Sequence, residues 1–442
     1  MRKAAFPLMA ILAAALAVGA QAHAETLAIK NVTVIDGRTD TGRPGMTVVV
    51  DGERIAAVGP SADVKVPAGA TIVDGAGKYL LPGLADMHNH VAPPTLATPE
   101  QNLEALRHLL TWGITTVFSP GIDLPSFHAM KRASAETPSR YPRYFAAGLV
   151  IVVGDSYPLP GAFRTVATVD AARAAVRDMR AEGVDMIKFL LQPPALVPIR
   201  PEINEAIVAE AHALGLKAVA HAIELETARA VLRAGADGVV HGIIDARYDR
   251  EVLELLKRNG AFYEATAVGA EPYTTLDADA WRRRLHAFDD MHKVPARTYA
   301  LLDTPEMQAV LAQVRQQLKA TGWAKRDFDE YTTANLSAVH DAGVPIVIGT
   351  DSPVPGVLPG VTTLLEMQIT VAQGLSPIDT IRAATINAQR VLGRDARSGT
   401  IEVGKDADLI LLYADPLADI ANLRRLKAVI QAGVYMDAAA AQ

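Results

Sequence analysis

The chain has 442 residues, 43 Lys and Arg against 49 Asp and Glu, a formal net charge of −6 and no cysteine. The lack of cysteine excludes a disulfide scaffold, a zinc finger, a thiol nucleophile and a lipidated N-terminal cysteine. A pI near 6.0 leaves no basic footprint for nucleic acid, while a half-hydrophobic composition suffices for a large buried core.

Arg2 and Lys3 open the chain, an apolar stretch runs from Ala4 to Gly19, and Ala22-His23-Ala24 forms an A-x-A cleavage site. Together they read as a signal peptide over residues 1–24. An N-terminal membrane anchor is the alternative, but the apolar run is short for a span. Cleavage takes the net charge from −6 to −8, because Arg2 and Lys3 are the segment's only charged residues. No later stretch stays apolar long enough to span a bilayer. The expectation is a periplasmic or secreted protein with no membrane contact once the leader is gone.

Residues 25–80 alternate short β-like runs (Leu27–Asp36, Met46–Asp51, Arg54–Val58, Thr71–Val73) with the turn dipeptides Asp36-Gly37, Asp51-Gly52 and Asp74-Gly75. From about residue 81 a unit recurs. A helix-like stretch ends in Gly, and a short apolar strand follows that stops at a polar residue. This predicts strands at Ile114–Phe118, Met186–Lys188, Lys217–His221, Gly238–His241, Ala261–Thr266 and Pro345–Asp351, to which Leu80–His90 and Tyr144–Val153 are added. Eight strands alternating with helices predict an α/β fold, a (β/α)8 TIM barrel over 81–396. An open doubly wound sheet is the alternative, and the phosphate signatures that often accompany it are absent. An insertion at about 270–335, helical in pattern from Thr304 to Lys319, would be either a lid over the barrel mouth or peripheral decoration. Strands then return at Gly399–Val403, Asp408–Tyr413 and Ala428–Gly433, so residues 397–442 are expected to complete the small β domain begun by 25–80.

In a parallel barrel the C-terminal strand ends face the active site. Here they carry His88 and His90, Lys188, His221, His241 and Asp351. The i, i+2 spacing of His88-Asn89-His90 points both imidazoles to one side of an extended chain. Lys188 sits in the apolar run Val184–Leu191, where a charged amine is costly. It is either salt-bridged to Asp351 or Asp185, or a neutral amine that has reacted with CO2 to give a carbamate able to bridge two metals. Asp351 can ligate metal and accept a proton, or simply cap the next helix. No G-x-S-x-G elbow occurs.

This pattern resembles the amidohydrolase superfamily of metal-dependent hydrolases. The resemblance rests on Leu81–His90, Val240-His241-Gly242, Gly349-Thr350-Asp351-Ser352, Ala383–Ala388 and Gly404–Leu409. Within it the chain looks like the imidazolonepropionase-related branch that includes Xaa-Pro dipeptidases. The resemblance implies a flanking β-sandwich and two divalent metal ions. His88, His90 and Asp351 would hold one, His221 and His241 the other, and a carboxylated Lys188 would bridge them. Zinc suits a His-rich set. One departure is Phe189–Pro194, which replaces the glycine-rich segment of many dipeptidase-like relatives.

The expected activity is hydrolysis of an amide in a small-molecule substrate, a dipeptide or N-acyl amino acid. Asp351 would carry the proton, and Arg164, Arg200, Tyr248 and Tyr273 are candidate anchors for the substrate carboxylate. A lactonase, carbamate hydrolase or organophosphate hydrolase would use the same metal set, and a non-catalytic exported metal- or ligand-binding protein is the rival from another class. Whether identical chains associate into a homo-oligomer stays open.

Overall fold

The computed structural model describes residues 26–91, 98–121, 127–154, 163–192, 194, 197–274, 278–320 and 325–438. The expected signal peptide lies outside them. Among the described residues no helix is long and apolar enough to cross a membrane.

The two chain ends meet in one eight-stranded sheet. Its order is Val434–Asp437, Leu426–Gln431, Leu409–Leu412, Tyr79–Pro82, Leu27–Val34, Arg43–Asp51 and Arg54–Pro60, with Thr71–Asp74 also paired to Leu27–Val34. Ile29, Val48, Val50, Leu80, Leu409, Leu411 and Ile430 pack into a core of its own. Burying these side chains away from water drives the pairing of segments more than 300 residues apart in sequence. Gly399–Val403, expected as a strand, is not one. Gly399 holds φ +90°, and a β-carbon there would lie 2.9 Å from Ile386 Cα, so the chain turns at this point instead of extending. Val434–Asp437 supplies an edge strand instead.

The rest of the chain builds parallel sheets. One has six strands, in the order Phe163–Val166, Val150–Val153, Met186–Leu190, Lys217–His221, Gly238–Val240 and Phe262–Glu264; the other has three, Leu84–Asp86, Ile114–Ser119 and Arg143–Ala146. The inner strands Ile114–Ser119 and Met186–Leu190 are buried along nearly their whole length, as parallel strands covered by helices are. The run Leu80–His90 divides between layers: Tyr79–Pro82 pairs with the chain-end strands and Leu84–Asp86 with the parallel ones. Tyr144–Val153 likewise splits in two, and Val150–Val153 pairs with the unexpected strand Phe163–Val166. Pro345–Asp351 is not a continuous strand: Ile346 bridges Tyr263, and the segment's hydrogen bonds go to two neighbours. Tyr263 N donates to Pro345 O (2.9 Å) and Val347 N to Tyr263 O (3.0 Å), while Met87 N donates to Ile348 O (2.8 Å). On the other side, Asp185 N donates to Ala146 O (2.8 Å).

The connecting helices show the capping their sequences foretell. Thr168 and Asp249 accept from the first-turn amides of the helices Val169–Ala181 and Arg250–Asn259, and Gly260 ends the latter in the left-handed conformation. The insertion is helical well beyond Thr304–Lys319, with helices Ala267–Thr274, Ala278–Phe288, Ala296–Leu302, Pro305–Ala320 and Lys325–Asp341. Trp281 Nε1 ties it down by donating to Gly356 O (2.8 Å), and Lys293 Nζ by donating to Thr111 O (3.1 Å). Its first helix begins at the site itself: a β-carbon on Gly269 would lie 3.6 Å from Asp351 Cβ.

Candidate metal centre

His88 and His90 follow the strand Leu84–Asp86, and the residue between them explains their shared direction. Asn89 turns the other way, donating from Nδ2 to Asp86 Oδ2 (3.0 Å). Asp86 also accepts from Thr350 Oγ1 (3.0 Å) and Thr363 Oγ1 (2.8 Å). Burial raises its carboxyl to about 6 against these stabilising bonds. The histidines are thereby anchored from below by a packed polar network.

Each of three histidines has its Nδ1 occupied. His88 Nδ1 lies 2.6 Å from Glu264 Oε1, His90 Nδ1 donates to Gly121 O (2.6 Å), and His241 Nδ1 lies 2.9 Å from Thr266 Oγ1. The Thr266 hydroxyl donates to Ala265 O (2.8 Å), so toward His241 it accepts. With Nδ1 keeping its proton, Nε2 is the nitrogen that can offer a lone pair to a metal ion, the arrangement that orients metal-binding imidazoles. Asp351 Oδ1 sits 3.2 Å from His88 Nε2 and 3.1 Å from His90 Nε2. His221 closes the group, its ring centroid 4.3 Å from that of His241, which is 4.8 Å from that of His88.

Ligand atoms of His88, His241 and Asp351 all lie within 4.8 Å of one another. That convergence of two imidazoles and a carboxylate fits a divalent cation. The electrostatics suit the same purpose. Burial and the Lys188 charge push His221 down to about 3, burial and His221 hold His241 far below the ordinary histidine range, and burial lowers His90. These three are neutral at pH 7 and can donate lone pairs. Burial and Lys188 also oppose a proton on His88, but Glu264 and Asp351 outweigh them and raise it. Burial would raise the Asp351 carboxyl, yet the His88 charge outweighs it and holds the carboxyl well below the carboxylate range. His241 and Asp351 also adopt left-handed backbone (φ +77° and +61°), strain of a kind that clusters at functional sites.

Lys188 lies within the strand Met186–Leu190, which continues two residues past it, and it is only 3% exposed. Among the described residues it forms no ion pair with either expected partner, although the Glu264 and Asp351 charges act on it through space. Asp185 pairs with Lys131 Nζ (2.7 Å) and accepts from Ala146 N, while Asp351 faces the histidines. Burial lowers the Lys188 ammonium to about 8, and its charge acts on His88, His221 and His241.

The candidate carboxylate anchors are dispersed. Arg164 pairs with Asp178 (3.0 Å) and Glu182 (3.2 Å), on or just past the helix Val169–Ala181. Arg200 precedes the helix Pro201–Ala213 and pairs with Glu202 (2.7 Å). Tyr248 is buried against Tyr263 with its hydroxyl unpartnered among the described residues. Tyr273 lies on the helix Ala267–Thr274, and its side chain is outside the described residues. Glu264 was not singled out from the sequence, although it ends an apolar strand in the way His221 does and could have been found by the same rule. Glu366 was missed too. It lies inside the apolar helix Val361–Ala372 and accepts from Ala267 N (3.1 Å) and Val268 N (2.6 Å). Burial raises it to about 8.

Residues 79–435 match the Amidohydrolase family, and the chain belongs to it. It is similar to ochratoxinase from Aspergillus niger, 29% identical over 273 residues, 59% of this chain and 47% of that protein. The match thus spans about half the length of that relative. It is also similar to imidazolonepropionase from Shouchella clausii, 24% identical over 83% of this chain and 79% of the other. Among solved structures, a candidate prolidase from Bifidobacterium longum superposes with TM-score 0.76 at 26% identity, covering 94% of this chain and 95% of that one.

Proposed function

We propose that this chain is an exported binuclear-metal hydrolase that cleaves an amide bond in a dipeptide or N-acyl amino acid, at the mouth of a closed eight-stranded barrel with a flanking β-sandwich from the chain ends. Barrel closure is supported by the hydrogen bonds of Pro345–Asp351 to both parallel sheets and of Asp185 to Ala146. The observation that carries the metal reading is the convergence of His88, His241 and Asp351, with a buried lysine whose charge acts on His88, His221 and His241. His88, His90 and Asp351 would hold one ion, His221 and His241 the other, zinc being the best match for such donors. The Lys188 amine, shifted to about 8, is partly neutral near pH 7. It can attack CO2, forming an N–C bond and losing a proton, and the carbamate oxygens would bridge the two ions.

Divalent cations bound here would polarise the scissile carbonyl and make hydroxide available near neutral pH. Asp351 accepts the proton of the attacking water and delivers it to the leaving amine. The Nδ1 partners of His88, His90 and His241 keep those rings from rotating during the reaction. The likenesses to an ochratoxinase and a candidate prolidase support the amide assignment.

Elemental analysis of fully active protein is expected to find two divalent ions per chain, and chelation to abolish activity that zinc restores. One ion or none in active protein refutes the binuclear centre. A panel of dipeptides, N-acyl amino acids, lactones, carbamates and organophosphates is expected to show amides turned over fastest. Turnover of another class alone overturns the amide assignment, and metal binding without any turnover leaves a binding protein. Export is tested separately. Protein recovered from the native periplasm is expected to begin at Glu25, and an N-terminal sequence starting at Met1 overturns it.

A further inference from the structure

Glu264 closes the strand Phe262–Glu264 and is fully buried. Its Oε1 lies 2.6 Å from His88 Nδ1, while its Oε2 has no hydrogen-bond partner among the described residues. A buried carboxylate with an unsatisfied oxygen costs stability, so the fold by itself does not account for it. The backbone is nonetheless shaped around it. A β-carbon on Gly349 would lie 2.5 Å from Glu264 Cδ and 2.7 Å from each of its oxygens. Gly349 precedes Thr350, which supports Asp86, and Asp351, so the empty space beside the carboxylate lies in the segment that carries the acidic ligand.

We propose that Glu264 is a positioning residue for the metal centre: it accepts from His88 Nδ1–H, sets the tautomer and ring angle that present Nε2 to the ion, and depends on Gly349 for the space its carboxylate occupies. The inference rests on the metal reading above. An imidazole free to rotate, or protonated on the wrong nitrogen, must be reoriented each time it binds metal. Outer partners of this kind are typically worth about 10–100-fold in metal affinity. The same logic separates Glu264 from Asp86, whose carboxylate supports Asn89 and two threonines rather than a ligand ring.

Zinc affinity is to be measured by competition with a chromogenic chelator, a readout independent of turnover, alongside thermal melting of the metal-free forms. Glu264→Leu is expected to weaken zinc binding about 10–100-fold without lowering the melting temperature of the metal-free chain. Glu264→Gln keeps an oxygen that can accept from Nδ1 and should recover most of the affinity. Gly349→Ala leaves the acid in place but takes its space, and should weaken zinc binding in the same direction as Glu264→Leu. If Glu264→Leu does not fold, the contrast between Glu264→Gln and Gly349→Ala carries the test. Wild-type zinc affinity in Glu264→Leu, or in Gly349→Ala where the leucine variant does not fold, overturns the positioning role alone. A wild-type chain that binds no zinc overturns the metal reading and this inference with it.

Discussion

Lys188→Ala is expected to lose most of its bound metal and at least about 10²–10³-fold of its activity, the scale of removing an oriented electrostatic group from an active site. The lysine is buried in a strand core, and Asp185 and Asp351 are committed to other partners. A charged amine left there without an ion pair would cost several kcal/mol, and the proposed conversion into an anionic bridge would remove that cost. Lys188→Met keeps the volume of the side chain and should fold, so it separates loss of metal from collapse of the strand. Short carboxylic acids or bicarbonate should restore part of the activity of the alanine variant by supplying a bridging anion. Lys188→Arg should not rescue, because a guanidinium keeps its charge and forms no carbamate. A Lys188→Ala enzyme that is metal-replete and active would show the lysine to be structural only.

Asp351→Asn is expected to keep most of its metal while kcat falls about 10²–10⁴-fold, the usual size of a lost general base. The amide retains one coordinating oxygen and the shape of the carboxylate, but it cannot accept the proton. Asp351 Oδ1 lies 3.2 Å from His88 Nε2 and 3.1 Å from His90 Nε2, which places the carboxylate where the proposed ligand atoms converge. The loss should be milder for activated aryl esters, whose leaving groups depart without protonation. Equal losses on amides and activated esters, with metal still bound, would reduce Asp351 to a ligand.

The legible parts of this chain were those whose signal is local. The strands Leu27–Val34 and Arg54–Pro60, the capped helices and the polar residues closing apolar runs follow from alternation, turn chemistry and caps within a few residues. Strand division was less legible. Leu80–His90 is one apolar run, yet Tyr79–Pro82 and Leu84–Asp86 belong to different sheets, since apolar residues suit either layer equally. Gly399–Val403 has the composition of a strand, but Gly399 takes a positive φ where Ile386 leaves no room for a β-carbon, a constraint from a neighbour in space that no local pattern encodes.

Residue order by itself determined which side chains could bind metal, because donor identity is covalent, and placed them at the ends of apolar runs. Only the tertiary structure decided what each donor's second nitrogen meets. Glu264 reaches His88 across 176 residues, and Gly121 O reaches His90 across 31. It also decided which charges Lys188 meets: Asp185 pairs with Lys131, Asp351 Oδ1 lies beside two histidines, and Glu264 and Asp351 act on the lysine through space rather than through an ion pair among the described residues. Hydrogen bonds and Coulomb forces act over a few ångströms of space, and the packing of the parallel sheets, not distance along the chain, brings those groups within range.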